Sequence, residues 1–95
     1  MVHWNVIRCV PGAVLDLIEY RKQDHRGVNL GVERVRMKRI GAGIPRNVTS
    51  QELWTTDRRG RSVVVTTWYA THGGGEMTHE ISQTRVIRPP RAPRR

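Results

Sequence analysis

The sequence predicts a mostly β domain: a small antiparallel sheet or barrel of about five to six strands with one short helix and a disordered basic C-terminal tail. Three features lead there. Apolar and polar residues alternate with a period of two in several segments. Glycine- and proline-containing turn signals separate those segments. Only residues 13–22 carry helical spacing over any length. An open α+β sheet is the alternative architecture.

The first segment runs from Val2 to Val10, with Val2, Trp4, Val6 and Val10 on one face. Pro11-Gly12 then reads as a turn. Residues 13–22 are read as the short helix, because Val14, Leu17, Ile18 and Arg21 recur at helical spacing; a strand, with Leu15 and Leu17 opposite Asp16 and Ile18, is the alternative. Residues 28–40 form a strand whose apolar phase changes from Val28, Leu30 and Val32 to Val35 and Met37. With a side-chain period of two, that change predicts a bulge near Glu33 and Arg34. Thr49 and Glu52 have the spacing of a capping box, which allows one helical turn before Leu53.

The clearest hairpin pairs residues 52–57 with residues 62–71 around Arg58-Arg59-Gly60-Arg61. Its second arm is β-branched and aromatic on both faces, as expected of a central strand. Gly73-Gly74-Gly75 breaks that arm, and residues 77–87 return as a further strand. Residues 1–87 thus form one domain, and 95 residues are too few for two separate cores. The proline- and arginine-rich residues 88–95 are expected to form the disordered tail.

Charge is the most informative total. Lys and Arg outnumber Asp and Glu by 17 to 8, a formal net charge of +9, and all the basic residues but Lys22 and Lys38 are arginine. Arginine forks onto phosphate and stacks on flat rings, whereas lysine acts as a hydrated point charge. A GC-rich coding bias accounts for the Arg-to-Lys ratio equally well, but less well for the scarcity of acids. The arginines fall in three groups: Arg34, Arg36, Lys38 and Arg39 on one strand, Arg58, Arg59 and Arg61 at a hairpin tip, and Arg88, Arg91, Arg94 and Arg95 in the tail. Trp54 and Trp68 flank the tip on its two arms, and an exposed ring beside basic residues offers bases a stacking platform. Phe is absent, so each Trp is also a candidate core residue.

These features give three functional expectations. The first is a nucleic-acid-binding module contacting the phosphate backbone, with RNA or single strands ahead of duplex DNA because no groove-entering helix is readable. Trp54 and the three basic groups are its candidate contacts. The second is a viral or phage structural or host-interaction protein that binds a protein partner or self-associates. The third is a small ribonuclease or toxin using His72, Glu76 and His79 as acid–base groups, which requires the glycine loop to fold back.

No cofactor is expected, and no metal site is assigned, since one Cys and scattered His lack zinc-site spacing. Gly41 and Gly43 lack the third glycine and following helix of a phosphate loop. As the single cysteine, Cys9 excludes an intrachain disulfide; it reads first as a small core residue, with a thiol lowered by the neighbouring Arg8 as the alternative. With no apolar run long enough for a signal peptide or membrane span, a cytoplasmic setting, or the interior of an infected host cell, is the expectation.

Overall fold

The computed structural model describes residues 3–87. They form a closed antiparallel barrel of six strands: β1 (His3–Val10), β2 (Asp16–Gln23), β3 (Asn29–Arg39), β4 (Asn47–Thr56), β5 (Ser62–Thr71) and β6 (Met77–Ile87). The order around the barrel is β1-β2-β3-β6-β5-β4. Each half of the chain is therefore a three-stranded meander, with β2 central in one and β5 central in the other. The expected tail, with Arg88, Arg91, Arg94 and Arg95, lies outside the described residues.

The expected helix at residues 13–22 is not formed. Residues 13–15 make a bend, and Asp16 begins β2, which pairs with β1 on one side and β3 on the other. Helical spacing in this stretch also fits a strand: Ile18 and Tyr20 turn inward and are fully buried, while Leu17, Glu19 and Arg21 face outward. Two ladders outweigh the weak local preference for a helix. Thr49 to Glu52 is likewise part of β4, not a helical turn.

The phase change in β3 is real but needs no bulge at Glu33 and Arg34, where pairing with β2 runs unbroken. Leu30 and Val32 lie on the outer face and are about half exposed, whereas Val35 and Met37 lie inside. The irregularity falls at Leu30, between the Lys22–Gly31 and Gln23–Asn29 pairs. A second bulge, at Ile7, lets Trp4 and Val6 point inward before the break and Cys9 after it, so Val10 ends on the outside.

Three hairpins share one loop chemistry. In Asp24–Gly27 and Asp57–Gly60 the glycine N–H donates to the aspartate carbonyl, at 3.0 Å in both. Each carboxylate also accepts two backbone N–H groups: Arg26 and Val28 in one loop, Arg59 and Arg61 in the other. The loop from His72 to Gly75 closes with the same backbone bonds. Gly27, Gly60 and Gly75 sit at φ of 80°, 77° and 84°, where a Cβ is strained.

The core lies inside the closed end: Ile18, Tyr20, Val35, Met37, Val48 and Ala70 are buried, with Trp4, Val6, Cys9, Trp68 and Ile81 packed against them. Ladders between the two meanders are short. Lys38 opposes Glu80 and Arg39 opposes His79 on one side, and Asn5 opposes Asn47 on the other. Beyond these pairs β3 and β6 separate, as do β1 and β4, so the end carrying the Asp24 and Asp57 loops is open.

Gly60→Ala meets no neighbouring atom, so its cost is that of the backbone alone. It should lower unfolding free energy by about 1 kcal/mol in a urea titration.

Candidate functional site

Inward-facing positions divide into two polar regions with the apolar core between them. At the closed end Asp16, His79 and Cys9 bring one ligand-type atom each within 4.8 Å of one another. His79 reaches this point through a bulge: Thr78 is the extra residue between the Ala70–His79 and Thr71–Met77 pairs. Thr78 is fully buried, its hydroxyl donates to the Ala70 carbonyl (3.3 Å), and its own carbonyl accepts from Ile40 and Gly41. The Gly41 N–H is thus used within the chain, not presented to a phosphate.

Asp16 accepts from His79 Nε2 (2.8 Å), Arg39 Nε and Nη2 (3.1 and 3.0 Å) and the Gly12 N–H (3.1 Å). The His79 bond first, then the Gly12 N–H and Arg39, hold its carboxyl well below the usual range, at about 2. The other ring nitrogen of His79 contacts Thr78 Oγ1 at 2.8 Å. Both ring nitrogens are therefore occupied, and His79 has no free lone pair for Cys9. The thiol is pushed up by burial and then by Asp16, against a smaller lowering from Arg39. A catalytic Cys–His pair does not fit these observations, because the thiol is disfavoured as a thiolate. The cluster ties β2, β3 and β6 together, and as a metal site it would have to displace the Arg39 guanidinium.

The three acid–base candidates do not assemble. His72 Nε2 and Glu76 Oε2 are 3.0 Å apart across the glycine loop, on the surface. His79 is 1% exposed and turned to Asp16.

At the open end a cavity of ≈ 250 Å³ is lined by Trp4, Glu33, Ser50, Glu52, Thr66, Trp68, Gln83 and Arg85. Strand pairing explains the set: Ser50, Trp68 and Ile81 share one row across β4, β5 and β6, and Glu52, Thr66 and Gln83 share the next. In the row beyond, Trp54, Val64 and Arg85 lie side by side. Trp54 is 58% exposed, and its indole N–H donates to Glu52 (3.2 Å).

The wall contributed by β1–β3 is firmly built. Trp4 stacks on Tyr20 with centroids 5.4 Å apart, and the Lys22 ammonium lies 5.1 Å from the Trp4 ring centre. Glu33 joins Lys22 (2.6 Å) and accepts from the Tyr20 hydroxyl (2.8 Å). The Lys22 bond in particular holds the Glu33 carboxyl down, while burial and then Glu33 push the Tyr20 hydroxyl up. The Trp4 Nε1 atom is buried with no acceptor.

The sequence-derived arginine groups separate under this geometry. Arg34, Arg36 and Lys38 lie on the outer face of β3, opposite the buried Val35 and Met37. Arg34 is held by Glu19 at 2.7 Å, a carboxylate that Arg8 also approaches at 3.6 Å. Arg39 faces the other way and is committed to Asp16. Arg58, Arg59 and Arg61 occupy the hairpin tip as expected, with Arg61 tied to Asp57 at 2.8 Å. Arg36, Lys38, Arg58, Arg59 and Arg85 have no ion-pair partner among the described residues.

Glu33, Glu52 and Arg85 were not singled out as site residues by the sequence. Their signal was present only as polar residues at inward positions of strands otherwise read as apolar.

The chain matches no known family model, curated protein or solved structure. No helix among the described residues is long and apolar enough to cross a membrane.

The depressed carboxyl of Asp16 gives stability that is present above its unfolded value of 3.8 and is lost as pH falls from there toward about 2. Asp16→Asn should flatten that acid limb in urea unfolding. At neutral pH Asp16→Ala, which leaves His79 buried beside an empty position, should cost about 3 kcal/mol.

Proposed function

We propose that this chain is a nucleic-acid-binding module that takes single-stranded RNA or DNA at the open end of the barrel. One observation carries the reading: unpaired arginines and exposed indole surface occur on the same open sheet. Arg85 and Trp54 flank Val64 on the concave face of β4–β6, and the unpaired Arg58 and Arg59 stand at the tip of the β4–β5 hairpin that forms this face. Arginines at that tip can follow a phosphate backbone while the indoles stack on bases, an interaction worth roughly 1–3 kcal/mol per base. A single strand suits the site better than a duplex. The cavity is concave and the described residues contain no helix to enter a major groove.

Among the arginines named from the sequence, those already paired to carboxylates contribute less. Arg34, Arg39 and Arg61 would have to exchange an existing partner for a phosphate, whereas Arg58, Arg59 and Arg85 would not. Arg36 and Lys38 add a second positive surface on the outer face of β3, suited to a trailing part of a longer strand.

A second reading is supported by the unpaired edges of β3 and β6 beyond Lys38 and Glu80. Exposed edges pair with other strands, including those of a second copy or a protein partner. A discrete oligomer in light scattering, with no affinity for nucleic acid, would favour it.

The test of the first reading is a salt series with a labelled single-stranded oligonucleotide and the full chain. Single-strand binding loses about 0.7 log units of affinity per contacted phosphate for each log unit of salt. An Arg58→Ala, Arg59→Ala double variant should weaken binding and reduce the slope by roughly 1.4. An unchanged slope would remove the hairpin tip from the interface.

A further inference from the structure

The cavity at the open end has a donor and acceptor pattern more specific than backbone tracking requires. Its volume of ≈ 250 Å³ is below the range of about 300–1,000 Å³ typical of pockets for drug-sized ligands. That size suits one flat ring system, with any sugar and phosphate outside it. Two of its walls are indoles, Trp4 and Trp68.

The polar groups lining it are of two kinds. Glu33 and Glu52 only accept hydrogen bonds when ionised, and Arg85 only donates. Glu33 is already occupied, with one oxygen on Lys22 and the other on Tyr20. Glu52 has a single partner, the Trp54 N–H on Oε2, which leaves Oε1 and the remaining lone pairs to a ligand. Arg85 has no ion-pair partner among the described residues.

Glu52 and Arg85 lie on β4 and β6, with β5 between them, and are offset by one inward position. At strand spacings of about 4.8 Å and about 3.4 Å per residue, their backbones are roughly 12 Å apart, far enough for a base to lie between the two side chains. A base that meets both needs adjacent donors on one edge and adjacent acceptors on the other. Guanine has this arrangement: ring and exocyclic N–H groups on its pairing edge face a carboxylate, and O6 with N7 face an arginine fork. Adenine offers no pair of acceptors to the fork, and cytosine and uracil are smaller and lack the second edge.

We propose that the open-end cavity is a guanine-selective base pocket, with Glu52 reading the donor edge, Arg85 reading the acceptor edge, and Trp68 stacking on the ring. This inference rests on the single-strand reading above and adds base selectivity to it.

The experiment uses the full chain and four nine-residue RNAs, each of uridines with G, A, C or U at the central position, at one fixed salt concentration. Binding is followed by tryptophan quenching and by anisotropy. The G-containing strand should bind about 5- to 150-fold more tightly than the others, the equivalent of one bidentate contact. In Glu52→Gln, whose exposed position leaves folding intact by circular dichroism, the ratio of G to A affinity should fall toward one. Equal binding of all four strands, or a G preference that survives in Glu52→Gln, overturns the pocket and leaves the single-strand reading standing. Absence of binding to any strand overturns both. Guanosine 5′-monophosphate is the last arm: if it binds as tightly as the G-containing strand, the occupant is the free nucleotide and the assignment to a strand is overturned.

Discussion

The buried hydrogen bond between Asp16 and His79 is the constraint on which the barrel depends. It joins β2 of one meander to β6 of the other at a place where the ladder between the halves is only two residues long. Arg39 and the Gly12 N–H complete the carboxylate's partners, and Thr78 occupies the far ring nitrogen of His79. Asp16, His79 and Thr78 are thereby satisfied, which is the condition for such a network to hold a structure together instead of weakening it. Residues that resemble catalytic or metal-binding chemistry by type are, by their hydrogen bonds, the fastening of a fold.

Closing one end by a compact clasp leaves the other end free. The same strands that converge at Arg39 and His79 diverge above them, so inward-facing positions change from Ile18, Met37 and Ala70 to Glu33, Glu52 and Arg85 along their length. Apolar side chains fill the closed end, whereas toward the other end polar ones stand among Trp4, Trp68 and the buried Val64. Tyr20 marks the boundary, with its ring in the core under Trp4 and its hydroxyl on Glu33. Proposed function and fold meet at that boundary, because the aromatic wall of the cavity is also the roof of the core.

Much of the architecture was legible in the residues. The second hairpin was read with its tip at Arg58 to Arg61, and β5 and β6 fall on the stretches read for them, because β-branched runs bounded by Asp-x-Arg-Gly and triple glycine leave few other arrangements. Residues 13–22 carry two patterns at once, helical spacing in Val14, Leu17, Ile18 and Arg21 and strand alternation in Ile18 and Tyr20, and only the neighbouring strands decide between them. The bulges at Ile7, Leu30 and Thr78 were not legible, since a one-residue register shift is fixed by pairing across strands and leaves no local mark. The candidate site was partly legible for the same reason. Arginine clusters can be counted, but whether Arg34 or Arg58 is free depends on where Glu19 and Asp57 come to lie. Glu52 and Arg85 are far apart in sequence and become neighbours only across β5.

Each meander is built from hairpins whose loops close through their own aspartate or histidine, with no help from the other half. Among the described residues, strand pairing between the halves is confined to Asn5 with Asn47, and to Lys38 and Arg39 with Glu80 and His79. Contacts of short sequence separation are inexpensive in loop-closure entropy and form early. Residues 3–39 and 47–87 are thus two units able to gain most of their ladders before they meet, with docking of the halves as the later step. The reverse motion has the same geometry. The β1–β4 seam has one ladder pair, whereas β3–β6 has two together with the Asp16–His79 bond, so amide protection should be weaker along β1–β4 and strongest in β2 and β5.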